Sequence, residues 1–193
     1  MRKLSILWSL IPTFAMAQYD FYQQLADSAE TLSLERVIYD PSYYAIDYPN
    51  GDVPEGKGVC TDVVIRAYRK FGIDLQKEVH EDMSTNFQVY PNLWGLTRTD
   101  KNIDHRRVPN LMRFFERHGT MLRNSTRPKD YLPGDIVCWN LGGATTHIGI
   151  VTDELSGDGQ TFKVIHNIGF GQVVEDMLFD YPIIGHYRYT KVP

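Results

Sequence analysis

The sequence predicts an α+β domain, with helices first and an antiparallel sheet after them. Three observations carry this. Apolar residues recur at helical spacing in several segments before Gly119. From Leu132 onward the apolar period falls to two. The turn residues Ser156-Gly157-Asp158-Gly159 join two alternating runs as a hairpin. A chain of 193 residues is long enough to bury one sizeable core.

The N-terminus reads as an export signal. Arg2 and Lys3 form a basic start, Leu4 to Phe14 is apolar, and Ala15-Met16-Ala17 fits a small-x-small cleavage site. The expected cut falls after Ala17, dividing the chain into a signal peptide, 1–17, and one domain, 18–193. The apolar run is shorter than the roughly 20 residues a membrane helix needs, and no later segment reaches that length. The mature protein is therefore expected in the periplasm or outside the cell. Removing two basic residues and no acids shifts the formal charge from −4 to about −6. No basic run suggests nucleic acid as a partner.

The remaining elements follow from local pattern. In residues 18–38, Phe21, Leu25, Ala29 and Leu32 are spaced for one helix. Residues 39–58 are rich in tyrosine, proline, glycine and aspartate, and loops of that length are usually functional. Residues 60–71 read as an amphipathic helix, with Val63, Val64, Ala67, Tyr68 and Phe71 on one face and Gly72 as its stop. Residues 73–107 look irregular. Val108 to His118 is a second amphipathic helix, with Pro109 in its first turn and Gly119 after its end. Strands are read at Ile136–Trp139, His147–Thr152, Phe162–Asn167 and Ile183–Tyr189.

Cys60 stands at the predicted start of a helix, and two strands carry a histidine each, His147 and His166. That is the order of a thiol hydrolase. A helix N-terminus and a nearby imidazolium both favour the thiolate, the nucleophilic form. Strand alternation puts His147, Gly149 and Val151 on one face and Ile148 and Ile150 on the other. The apolar face belongs to the core, so His147 is expected to point out. His166 is favoured to orient the His147 ring, with Asn167 as the alternative. His80, His105, His118 and His186 have no comparable setting, and His186 suits a packed strand residue. No tight ligand pair suggests a metal, and no cofactor is expected. Export leaves one competing role for the thiol, a Cys60–Cys138 disulfide in a non-catalytic binding protein.

Leu132-Pro133-Gly134-Asp135-Ile136-Val137, His147-Ile148-Gly149-Ile150-Val151 and Val164-Ile165-His166 resemble the core of the NlpC/P60 cysteine peptidases. More closely, the chain resembles the exported bacterial family DUF1287. That likeness runs from about Val37 to Tyr189. It rests on Tyr39-Asp40-Pro41, Gly58 to Arg66, Asn102 to Pro109, and Ile165 to Gly169. The resemblance implies a papain-like fold, in which a helix bearing the cysteine packs on an antiparallel sheet bearing the histidines. It also implies amide or peptide hydrolysis, with peptidoglycan peptides as substrate and a Cys60-His147-His166 or Cys60-His147-Asn167 triad. Tyr48, 12 residues before Cys60, occupies the position of a tyrosine that assists the oxyanion in those enzymes, although a tyrosine that packs the loop is the favoured reading. Asp62 and Arg66 are spaced to pair at i, i+4. They join Asp104, His105, Arg106 and Arg107 as candidate substrate-binding residues, since arginine suits carboxylates. The cluster 104–107 reads equally as a solvated turn. Relatives with this fold also transfer acyl or lipid groups, which is the alternative reaction. A cognate inhibitor is left open. The chain departs from NlpC/P60 in having Val59-Cys60-Thr61-Asp62 in place of Asp-Cys-Ser-Gly.

Overall fold

A computed structural model describes residues 13–191, with side chains from Phe21 onward. Most of the expected signal peptide, residues 1–12, lies outside the described residues. Helix α1, Thr13–Thr31, runs across the expected cut. Then come β1 (Ile38–Tyr39), β2 (Lys57–Gly58), α2 (Cys60–Arg69), α3 (Leu75–Asn86) and α4 (Val108–His118). The sheet strands follow: β3 (Thr120–Met121), β4 (Ile136–Gly142), β5 (Thr145–Leu155), β6 (Phe162–Asn167), β7 (Gln172–Glu175) and β8 (Ile183–Arg188). The main sheet has the order β3-β8-β4-β5-β6-β7, and every neighbouring pair is antiparallel. Among the described residues, no helix is long and apolar enough to cross a membrane.

The fold is α+β, with a cysteine-bearing helix packed on an antiparallel sheet that carries the two histidines. Helices α1 and α2 both pack across β5. Val63, Val64, Ala67 and Tyr68 of α2 are wholly buried against Cys138, Ile148, Ile150 and Ile165 of the sheet. Burying each larger apolar side chain contributes about 1.5–3 kcal/mol. Gly72 ends the α2 turn at φ +72°, a conformation glycine adopts without strain.

The opposite face of the sheet is covered too. Val137, Trp139, Val151 and Val164 pack under Tyr131, Met177 and Leu178 as a second apolar cluster. This corrects the expectation that His147 points out. Alternation holds, but the second face is not solvent, and His147 is only 3% exposed.

Three local readings change. The helix read over 18–38 ends at Thr31, because Ile38 and Tyr39 pair in parallel with Lys57 and Gly58. That pairing clamps both ends of the 39–58 loop beside the start of α2. Residues 73–107 contain a full helix, α3, whose N-cap is Asp74, accepting the Lys77 N–H at 3.2 Å. Strand β7 pairs with β6, setting His166 opposite Val173 and Val164 opposite Glu175.

His186 is the packed strand residue the sequence suggested. It donates to Asp135 at 2.6 Å and stacks on Tyr131, with ring centroids 4.3 Å apart.

Candidate active site

Cys60 is the first residue of α2. Val59 before it has no capping side chain, so Asp62 reaches back and accepts the Val59 N–H at 2.7 Å. The same carboxylate takes a bidentate pair from Arg106, with Nε to Oδ1 at 2.9 Å and Nη2 to Oδ2 at 3.0 Å. Arg106 also donates to the Ser42 carbonyl at 3.2 Å. Asp62 and Arg106 are both buried, at 3% and 7% exposure. They therefore tie the 104–106 turn to the start of α2, with each charge already paired.

Arg66 does not pair with Asp62 as its spacing suggested. It grips Asp52 through Nε and Nη2, both at 3.0 Å, and donates to the Lys57 carbonyl at 2.8 Å. Asp104 and His105 are also buried, at 0% and 2% exposure. Burial pushes the Asp104 carboxyl up to about 6 and His105 down to about 3. Of the 104–107 cluster, Arg106 and Arg107 line the cleft at Cys60, and Arg106 is already committed to Asp62.

Two histidines and a carboxylate form a chain. His147 Nε2 lies 3.0 Å from His166 Nδ1, and the rings are nearly perpendicular. His166 Nε2 lies 3.0 Å from Glu175 Oε2. Gly149 makes room for this, because a Cβ there would sit 2.7 Å from the Ile165 carbonyl and 3.2 Å from His166 Cβ. Trp139 flanks the His147 ring with a centroid distance of 5.8 Å. It is His166 that stands behind His147. Asn167 takes the other side of β6, where its amide donates to the Gly58 carbonyl at 3.3 Å and steadies the residues leading into Cys60.

The chain fixes tautomers. A carboxylate only accepts, so His166 Nε2 must donate to Glu175. In a neutral ring His166 Nδ1 then accepts, so His147 Nε2 carries the proton it donates. That leaves His147 Nδ1 as a bare acceptor. Both rings are held neutral: burial, then His166, push His147 down to about 3, and burial lowers His166 despite Glu175. Glu175 was not legible as a site residue, since β7 is too short to show a period.

Among the described residues, no hydrogen bond joins Cys60 to His147. The strand neighbours of His147 border the thiol: the Ile148 N–H lies against the sulfur, and Thr146 lines the Cys60 cleft. That cleft holds about 220 Å³ and is lined by Tyr39, Val59, Cys60, Trp94, Arg107 and Thr146, among others. Its tyrosine is Tyr39, whose hydroxyl is pushed up chiefly by burial. Tyr48, the alternative oxyanion candidate, packs on His80 at 5.3 Å between centroids and under the Lys101 ammonium at 5.6 Å, as a loop-packing tyrosine would. The loop is turned that way because Gln76 of α3 binds the Asp47 carbonyl and the Gly51 N–H, both at 2.8 Å.

The thiol rests protonated. Burial pushes Cys60 up to about 12, against the lowering pull of the Ile148, Thr61 and Cys60 N–H groups. Burial of both groups works against the thiolate that a helix start and a nearby imidazolium would favour. Cys60 and Cys138 are both free and buried in this structure. Two thiols are expected per denatured, unreduced chain. In the folded protein, Cys60 alkylation by iodoacetamide is expected to be slow at pH 7 and to climb past pH 9 without a plateau. A plateau below pH 7 would show a preformed ion pair, and zero thiols would show the bridge.

Two solved structures resemble this chain. They are NlpC1 and NlpC2 of Trichomonas vaginalis, at 15% and 17% identity with TM-scores of 0.49 and 0.47. The matches cover 88% and 87% of this chain but 44% and 46% of theirs, so it spans less than half their length. An uncharacterised protein of Escherichia coli strain K12, YijF, is 51% identical over 178 residues, covering 92% of this chain and 86% of its own. The model of the domain of unknown function DUF1287 matches residues 26–189, and the chain belongs to that family.

Proposed function

We propose that this protein is an exported cysteine hydrolase that cleaves an amide bond, with peptidoglycan peptides as its substrate class. The observation that carries the reading is the chain His147–His166–Glu175, two buried histidines ending on an exposed carboxylate, which leaves a bare imidazole nitrogen on the strand that borders the Cys60 cleft. A half-exposed carboxylate ordering two buried histidines has an evident use in proton transfer. The substrate class rests on the likeness of the 132–137, 147–151 and 164–166 segments to NlpC/P60 peptidases.

In this reaction the Cys60 proton moves to His147 Nδ1 as the sulfur attacks the carbonyl carbon. Contacts of this kind are often long without substrate and tighten in the complex. The carbonyl oxygen becomes an oxyanion facing the Cys60 backbone N–H at the α2 terminus, with the Tyr39 hydroxyl at the cleft edge. The C–N bond then breaks, and the leaving amine takes the proton from His147. Water, deprotonated by the same ring, hydrolyses the thioester and restores the thiol. His166 and Glu175 touch no reacting atom. They position His147 and stabilise its transient charge.

The test is amine release from purified muropeptides at pH 7. The wild-type protein is expected to release one new amine per cut. Glu175→Gln is expected to lower kcat about 10- to 100-fold with KM unchanged, because the amide no longer enforces one His166 tautomer. Absence of any new amine from muropeptides and from simpler peptides sinks the reading. Unchanged kcat in Glu175→Gln removes the chain from it.

A further inference from the structure

Two arginines, Arg106 and Arg107, are the charged residues that line the Cys60 cleft. They differ in what they hold. Arg106 spends Nε and Nη2 on Asp62 and Nη1 on the Ser42 carbonyl, and its side chain is 2% exposed. Arg107 donates no hydrogen bond among the described residues. Its guanidinium lies over the Trp94 ring, 4.0 Å from the centroid, and this cation–π contact fixes its plane.

The open donors of Arg107 reach water. Its side chain is 17% exposed. Nη1 is the guanidinium nitrogen shut from solvent, whereas Nε and Nη2 are unbonded and not shut in. Nε and Nη2 form the edge by which the neighbouring Arg106 grips Asp62. In Arg107 that two-donor edge is empty. Nearby acids do not fill it. Asp104 Oδ1 pairs with Nη1 from 4.0 Å, on the closed side. Asp104 is wholly buried, takes the Asp100 N–H at 2.5 Å, and has its carboxyl pushed up to about 6, so it is a weak counter-ion and no part of the cleft wall. Asp100, whose charge also reaches Arg107, accepts from the Tyr43 hydroxyl at 3.1 Å and the Asn102 N–H at 2.9 Å.

The cleft therefore has one cation with two free, parallel N–H groups and no anion on its walls. A carboxylate sets one oxygen against each N–H. A neutral amide offers a single acceptor and leaves the other N–H unpaired, and an ammonium is repelled. A dianion would call for a second cation, and Arg106 is already paired. We propose that Arg107, held flat by Trp94, binds a free carboxylate in the Cys60 cleft, carried by the substrate residue next to the scissile bond, so that acidic peptides are preferred. The place beside the scissile bond rests on the hydrolase reading, whereas the binding itself does not.

The experiment is a titration of the Cys60→Ala protein with N-acetylglycine, its neutral amide N-acetylglycinamide and the cation glycinamide, read at the Trp94 indole N–H resonance. N-acetylglycine is expected to shift that resonance saturably, with a Kd roughly tenfold or more below the other two. Arg107→Met is expected to abolish the preference. Arg107→Lys keeps the charge but neither the flat stack nor the two-donor edge, and is expected to weaken N-acetylglycine about tenfold. Both variants are checked by thermal melting, and if Arg107→Met fails to fold, Arg107→Lys decides. Equal affinity for N-acetylglycine and its amide, unchanged N-acetylglycine affinity in Arg107→Lys, or no saturable shift overturns the proposal. Any of these leaves Cys60-dependent hydrolysis of neutral peptides standing. Selective N-acetylglycine binding in a protein that releases no amine from any peptide would overturn the hydrolase reading alone.

Discussion

Arg106→Met is expected to destabilise the fold by about 3–5 kcal/mol, read as a shift in the urea midpoint, with KM unchanged among molecules that remain folded. The magnitude follows from what is left behind. Asp62 is 3% exposed, and among the described residues Arg106 is the arginine hydrogen-bonded to it, so methionine strands a carboxylate out of water. Met fills much of the arginine stem, so packing loss is secondary. The double variant Asp62→Leu with Arg106→Met is expected to recover part of the loss, since no stranded charge remains. It should not recover the Val59 cap bond, worth about 1 kcal/mol. A folded Arg106→Met protein of wild-type stability that has lost substrate affinity would return Arg106 to the substrate-binding role its sequence context suggested. Arg66→Met is expected to cost less than Arg106→Met, because its partner Asp52 is about one-third exposed and keeps Arg69 at 2.6 Å.

The residues that carry a period were legible in the sequence. Val108–His118 is a helix over the predicted span, and Ile148 and Ile150 face the helices as alternation required. The hairpin at Ser156–Gly159 forms between β5 and β6. What the sequence did not show depends on which surface covers which. His147 is buried because Met177 and Leu178, in a segment with no clear period, cap the second face of the sheet. Helix α3 was missed because its buried stripe, Leu75, Val79 and Met83, is narrow and its remaining residues are mostly polar. The partners of charged residues were the least legible. Asp62 has Arg66 four residues away, yet it pairs with Arg106, 44 residues distant, because the 104–106 turn folds over the α2 start. Glu175 and Tyr39 joined the site through short strands, β7 and β1, whose pairing is set by the tertiary fold and not by local propensity.

Cys60→Ala is expected to lower amide hydrolysis about 10⁴-fold or more while leaving the fold intact. The residue is 7% exposed, and trading its sulfur for a methyl leaves a small void worth about 1 kcal/mol. His147→Ala is expected to fall as far, since without an acceptor the thiol, pushed up to about 12, stays protonated at neutral pH. Groups that act as a unit are not additive. Once either is gone, removing the other has nothing left to take away. The decisive measurement is kcat on one muropeptide for the wild type, Cys60→Ala, His147→Ala and the double variant, with melting curves alongside. All three variants are expected to reach the same floor with folding retained. Near-wild-type turnover in Cys60→Ala, or a double variant whose loss is the product of the two single losses, would contradict it.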